Sequence, residues 1–165
     1  MLNNTTVSKL HEMKLSAVAL AFQHQGENED FRELSFEERF GLVVDAEWTS
    51  RRNNRLTRLL KNAGFSEPGA CLEDIEYHAD RKLDKAFITR LGTCNFIEEN
   101  HNVIILGATG SGKTYIANAL GVTAGRNFYT VRYVRLPDLL AELSIARAEG
   151  NYRRVIKAYR QARLL

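Results

Sequence analysis

The sequence predicts an α/β fold of the P-loop NTPase kind, an incomplete three-layer αβα core preceded by an all-helical N-terminal region. Three observations carry this. Residues 107–114 read Gly-Ala-Thr-Gly-Ser-Gly-Lys-Thr and satisfy G-x-x-x-x-G-K-[ST] in full. The run Val103-Ile104-Ile105-Leu106 just before them is apolar and β-branched at three of four positions, as a buried parallel strand should be. Residues 1 to about 66 carry helical periodicity and helix-end signals throughout.

The bulk properties bound this reading. A length of 165 residues suits one ordinary domain, or a small helical domain plus an incomplete second one. Apolar residues at 44 % and charged residues at 26 % are ordinary for a soluble globular chain. No apolar run reaches the ~18 residues of a membrane span. Asn3, Asn4, Lys9, Glu12 and Lys14 break any signal-peptide pattern, so a cytoplasmic protein without a membrane partner is expected. The net charge is only +3 but unevenly spread: residues 49–61 hold five Lys/Arg and no acid, and residues 147–163 hold six against the single Glu149. Such clusters point to a polyanionic partner. Cys71 and Cys94 are each followed seven residues later by a histidine, His78 and His101. That spacing is far wider than structural zinc sites use, so it is read as coincidence.

Val7 to Gln25 reads as one amphipathic helix with Leu10, Met13, Ala17, Leu20 and Ala21 inward. Ser35-Phe36-Glu37-Glu38 is a capping box that opens a helix from Phe36 to about Ala63, with Gly64 at its C-cap. Ser66-Glu67-Pro68-Gly69 reads as a linker, which sets expected domains at 1–66 and 67–165. Leu72 to His78 reads as extended, and Asp84 to Leu91 and Thr93 to Glu99 as short helices. After the glycine-rich loop, Thr114 to Gly125 is a helix with Ile116, Ala119 and Leu120 inward. Tyr129 to Leu136 alternates like a second strand, Pro137 starts another helix, and Asn151 to Ala162 forms the last. Leu164 and Leu165 look like the opening of a third strand.

The loop has a clear physical purpose. Its glycines let successive N–H groups point into one hollow at the N-terminus of the next helix, where unpaired amides and the helix dipole favour an anion. Gly107, Ala108, Thr109, Gly110, Ser111, Gly112, Lys113 and Thr114 are therefore the expected binding residues for ATP. Lys113 is expected to reach the β- and γ-phosphates and the Thr114 hydroxyl to ligate Mg²⁺. Hydrolysis needs an acid at the end of another strand and a group that positions water. Asp138 sits at a helix start, and Glu98 and Glu99 precede the first strand, so no catalytic residue is assigned.

Two basic segments are candidate DNA contacts. Arg51, Arg55 and Arg58 share one helix face, with Arg52 beside them. On the last helix Tyr152, Val155, Ile156 and Tyr159 form an apolar stripe, and Arg153, Lys157 and Arg160 lie opposite. Trp48 is read as packing.

The order of these parts, from the arginine-rich helix through GATGSGKT to Tyr133-Val134-Arg135-Leu136-Pro137-Asp138-Leu139-Leu140, Ala146-Arg147-Ala148-Glu149-Gly150 and Arg163-Leu164-Leu165, resembles the IstB-like ATP-binding proteins. These are transposition helpers of bacterial insertion sequences, related to helicase loaders within the AAA+ initiator group. The resemblance covers nearly the whole chain. It implies an AAA+ ATPase that binds ATP and Mg²⁺, oligomerises on DNA and assists a cognate transposase in target selection. It also implies an acidic pair, a sensor residue and an arginine finger beyond Leu165. The chain is thus expected to be a truncated copy or fragment, hydrolysis-deficient, with the third strand missing between the first two. Two alternatives stand beside this: a helicase-loader-like replication protein, and a non-catalytic DNA-binding or oligomerisation fragment.

Overall fold

The structure is a computed structural model and describes residues 2–78 and 82–165. It divides into two compact units, Met1–Arg55 and Leu56–Leu165. The helices in chain order are α1 (Leu2–Glu12), α2 (Ser16–Glu27), α3 (Phe36–Ala63), α4 (Lys85–Gly92), α5 (Asn95–Glu98), α6 (Lys113–Arg126), α7 (Leu136–Ala148) and α8 (Tyr152–Arg160). No helix among the described residues is long and apolar enough to cross a membrane.

In the first unit the helix expected over Val7 to Gln25 is two helices. Lys14 takes a left-handed conformation at φ 59°. Its N–H donates to the His11 carbonyl at 2.9 Å, and Leu15 N–H donates to the Leu10 carbonyl at 2.8 Å. These bonds close α1 in the manner of a left-handed cap, although no glycine marks the place. The break lets α1 fold back on α2, and the inward residue of α2 is Ala19, at 0 % exposure. Leu20 and Met13, expected inward, are 70 % and 63 % exposed, because a small side chain permits the close helix–helix approach and a large one does not. A short 3₁₀ turn, Glu29–Glu33, leads into α3. The capping box there forms as expected: Glu38 N–H donates to Ser35 Oγ at 3.3 Å, and Ser35 N–H donates to Glu38 Oε2 at 2.8 Å. The backbone amide of Ser35 thereby holds the Glu38 carboxyl below its usual range.

The second unit is organised around α6. Ile116, Leu120 and Ala124 face a core that includes Ile75, Ile88, Leu91, Phe96, Ile97 and Val131. Gly64 ends α3 at φ +74°, as its position predicts, and the freed Ala63 carbonyl accepts from Tyr133 N–H at 2.7 Å. Two glycines of α6 bring the chain before it into contact. A Cβ on Gly121 would lie 2.6 Å from the Phe65 ring, and one on Gly125 would lie 2.7 Å from Leu60. Asp84 caps α4 by accepting from Ala86 and Phe87 N–H at 2.8 and 3.1 Å. On α8, Tyr152, Val155 and Ile156 are half-buried and Tyr159 is buried, as the stripe predicts. The Tyr159 hydroxyl donates to Glu142 of α7.

The expected sheet is not formed among the described residues. Residues 103–106 carry no ladder, and their side chains alternate: Val103 and Ile105 pack on the core while Ile104 and Leu106 are 81 % and 88 % exposed. The segment expected as a second strand, Tyr129 to Leu136, makes one parallel bridge, Val131 with Leu164. Arg132 N–H donates to the Leu164 carbonyl at 2.9 Å and Leu164 N–H to Thr130 at 3.2 Å. Of the strand opening expected at Leu164 and Leu165, the structure shows this single isolated bridge. The physical reason for the rest is pairing. A β-prone run becomes a strand only when a neighbour supplies donors and acceptors along its edge, and no described segment lies alongside 103–106 to do so.

Hydrogen exchange should report this directly. Amides of Ile104 and Leu106 are expected to exchange orders of magnitude faster than those of Ile116 to Ala124 in α6. Equal protection in the two segments would show that 103–106 is paired in solution.

Candidate nucleotide site

The loop connects the unpaired 103–106 segment to α6. Gly110 and Gly112 sit at φ +78° and +82°, where a side chain would be strained. Gly107 is constrained by space: a Cβ there would fall 2.7 Å from Ser111 Oγ. Ser111 N–H donates to the Ala108 carbonyl at 3.3 Å and closes a turn. Gly112 is the N-cap of α6, and no side chain caps the helix. The first helical bond is Ile116 N–H to the Gly112 carbonyl at 3.0 Å. The amides before it form the positive end of the helix, where a negative charge gains about 0.3–1 kcal/mol.

Lys113 lies half-buried within the loop, and its ammonium donates to the Ala108 carbonyl at 2.6 Å. A cavity of about 670 Å³ opens here, lined by Leu83, Ile105, Leu106, Ser111, Lys113 and the loop glycines. Uncapped amides, an ammonium and glycine backbone make a donor set that fits the phosphates of a nucleotide. Thr114 is exposed at the start of α6. Among the described residues no group of three or more His, Cys, Asp or Glu gathers to hold a metal. The acids considered above are engaged elsewhere. Asp138 accepts two bonds from Arg135, at 2.7 and 3.3 Å, in the first turn of α7. Glu98 accepts from the Tyr129 hydroxyl at 2.7 Å, and Glu99 pairs with His101 at 3.1 Å.

Two residues without a motif of their own fasten this site. Asn118 is fully buried on α6. Its Nδ2 donates to the Thr114 carbonyl at 2.8 Å and to Ser66 Oγ at 3.1 Å, and its Oδ1 accepts from Glu67 N–H at 3.3 Å. Tyr115 reaches the same strap: its hydroxyl accepts from Cys71 N–H at 3.2 Å and donates to the Cys71 carbonyl at 3.3 Å. The Ser66–Gly69 stretch, expected as a linker, leads a segment bonded to the helix that carries Lys113 and Thr114. The available sequence signal was a polar residue between the inward positions Ile116, Ala119 and Leu120. Further along, Asp74, Ile75 and Glu76 border a smaller hollow beside Gly112 and Tyr115.

The basic residues are exposed, as expected of candidate polyanion contacts. Arg51, Arg52, Arg55 and Arg58 all lie exposed on α3, and Arg153, Lys157 and Arg160 on α8. Arg51 is neutralised by an acid just outside the acid-free stretch: its Nε donates to Glu47 Oε1 at 2.7 Å. That bond lowers the Glu47 carboxyl below its usual range. Trp48, read as packing, is 58 % exposed, and the Arg52 guanidinium sits 5.0 Å from its ring centre. Cys71 and Cys94 are both free thiols, and burial raises the pKa of Cys94.

The strap has a measurable energetic share. Asn118→Leu would remove, from a fully buried position, the partner of the Glu67 amide, the Ser66 hydroxyl and the Thr114 carbonyl. It is expected to destabilise the second unit by about 2–4 kcal/mol. A urea midpoint equal to that of the parent chain would show that the bonds contribute nothing net.

Residues 8–165 match the model of the IstB-like ATP binding protein family. A protein of Pseudomonas fluorescens, named as an ATP-binding protein of insertion sequence IS1162, is 39 % identical over 157 residues, covering 95 % of this chain and 68 % of its own. Two proteins of Sinorhizobium fredii, named as insertion-sequence ATP-binding proteins, are 35 % and 36 % identical over all of this chain and cover 67 % and 66 % of theirs. The chain thus spans about two thirds of the length of these relatives. With nearly its whole length matched, and the phosphate loop intact within the match, the chain belongs to the IstB-like ATP-binding protein family.

Proposed function

We propose that this chain binds ATP with Mg²⁺ at Gly107–Thr114 and acts as a transposition helper that binds DNA and assists a cognate transposase in target selection. The observation that carries the nucleotide part is the Lys113 ammonium, held 2.6 Å from the Ala108 carbonyl beside the uncapped start of α6. A terminal phosphate offers that ammonium a charged acceptor in place of a neutral one. The Thr114 hydroxyl completes the site from the same helical turn. Residues 103–106 and 129–135 are proposed as strands of an AAA+ three-layer core, each awaiting a neighbour on its free edge. Residues 1–66 then face DNA or protein partners, and 67–165 face the nucleotide.

The polyanion reading rests on the exposed cations of α3 and α8. Their distribution supports it: neutralising phosphates needs charge density on one face, with no particular order of residues. The relatives' names as insertion-sequence ATP-binding proteins support a transposase as the proposed partner, and self-association on DNA is proposed with it.

Two measurements test this. Lys113→Ala is expected to weaken binding of a fluorescent ATP analogue by about a hundredfold, since it removes a charge-assisted bond to the terminal phosphate. An unchanged titration would place the nucleotide elsewhere. For DNA, the Arg51→Ala, Arg55→Ala and Arg58→Ala triple substitution is expected to weaken binding on all duplex sequences about equally. It should flatten the log–log salt dependence by roughly 0.9 for each phosphate no longer neutralised. A triple mutant with parent affinity and slope would reduce the stripe to a solvated face.

A further inference from the structure

The first unit keeps its small residues inside and its large ones outside. Val43 is buried on α3 and Ala46 half-buried, while Phe36, Phe40, Val44 and Trp48 are 68 %, 58 %, 48 % and 58 % exposed. These four follow one another at i, i+4, i+8 and i+12, and Arg52 continues the series at i+16. Each step advances about 40° around the helix, so they form one gently winding ridge and not a scatter. The ridge is ordered: the Phe36 and Phe40 rings stack at 5.9 Å with planes 16° apart, and Arg52 lies over Trp48. It runs directly into the segment 48–61, which holds no acid.

We propose that this ridge is a stacking platform for unpaired nucleobases, so that the nucleic acid taken up by α3 is single-stranded or locally melted DNA. The proposal rests on the DNA reading above and specifies the form of DNA. Its ground is the pairing of two chemistries on one face. Exposed flat rings bind the faces of bases, which a duplex hides in its stack, and the adjoining guanidinium groups neutralise the backbone of the same strand. A duplex would use the arginines and leave the rings idle. Arg52 above Trp48 is placed so that a base can stack on the guanidinium plane or on the indole, both of which are sequence-tolerant surfaces.

Trp48 is the sole tryptophan of the chain, so its emission reports on this one position. The full chain is titrated at low salt with oligothymidine, a blunt duplex of the same length, and inorganic polyphosphate. Oligothymidine is expected to quench the emission strongly, and polyphosphate and duplex to bind without matching that quench. Trp48→Ala should weaken oligothymidine binding, read by anisotropy, by about tenfold while changing duplex and polyphosphate affinity by less than about twofold; Trp48→Tyr should restore most of the loss. Helix content by circular dichroism confirms that the variants remain folded. Oligothymidine binding with a silent Trp48, or oligothymidine affinity indifferent to Trp48→Ala, would overturn this inference and leave the DNA reading intact. Binding of none of the three would overturn both. An emission shift that depends on protein concentration alone, and that Phe40→Ala abolishes, would assign the ridge to a second copy of the chain and overturn the proposal.

Discussion

Close approach to the backbone of α6 organises the second unit. Gly121 and Gly125 each cost their helix about 1 kcal/mol relative to alanine. In exchange the Phe65 ring and the Leu60 side chain lie directly on the helix, where any Cβ would intrude. Both side chains are half-buried, so each returns part of the about 1.5–3 kcal/mol that full burial gives, which offsets the helix penalty. The contact also sets a register. With Leu60 and Phe65 placed, Ser66 and Glu67 fall beside Asn118, and Cys71 falls beside Tyr115. The phosphate loop is thus carried on a helix clamped along its length, from Gly125 at one end to Asn118 beside the loop.

Local chemistry was legible in the sequence where it depended on neighbours in the chain. The Ser35–Glu38 box, the Gly64 cap, the start of α7 at Pro137 and the glycine loop all rest on contacts spanning a few residues, and each forms as read. What failed to show were features set across space. Nothing at Lys14 marks a break, because the energy that favours two helices comes from packing α1 against α2, which more than offsets roughly 1–2 kcal/mol of left-handed strain. Trp48 lies on a helix face whose burial depends on what covers it, and it is 58 % exposed. Asn118 has the look of an ordinary flank residue until Ser66 and Glu67 meet it.

The sheet illustrates the same division at larger scale. Val103-Ile104-Ile105-Leu106 has the composition of a strand, and its inward pair already packs on Phe96 and Leu120 along a groove that also includes Val131 and Leu164. Side-chain burial alone therefore gives the segment its place and its alternation. It does not give it a ladder, since backbone pairing requires a second edge at about 4.8 Å. The Val131–Leu164 bridge shows what one such edge accomplishes: where Leu164 arrives, Thr130 and Arg132 bond to it at once. Composition specifies that a run is able to be a strand, and topology decides whether it becomes one.

The loop itself shows how an anion site can be arranged before its ligand. An ammonium with no acceptor would be costly in a half-buried hollow, and Lys113 avoids this by donating to Ala108. That carbonyl is a neutral acceptor, and a bond to a charged partner is roughly twice as strong. On the proposed reading, an incoming phosphate exchanges a weaker bond for a stronger one. A carboxylate in place of Ala108 would have held Lys113 in an ion pair and cancelled the field of the helix start. The neutral acceptor keeps both the ammonium charge and the uncapped amides of α6 directed at the same hollow, so two sources of positive potential remain available to one anion.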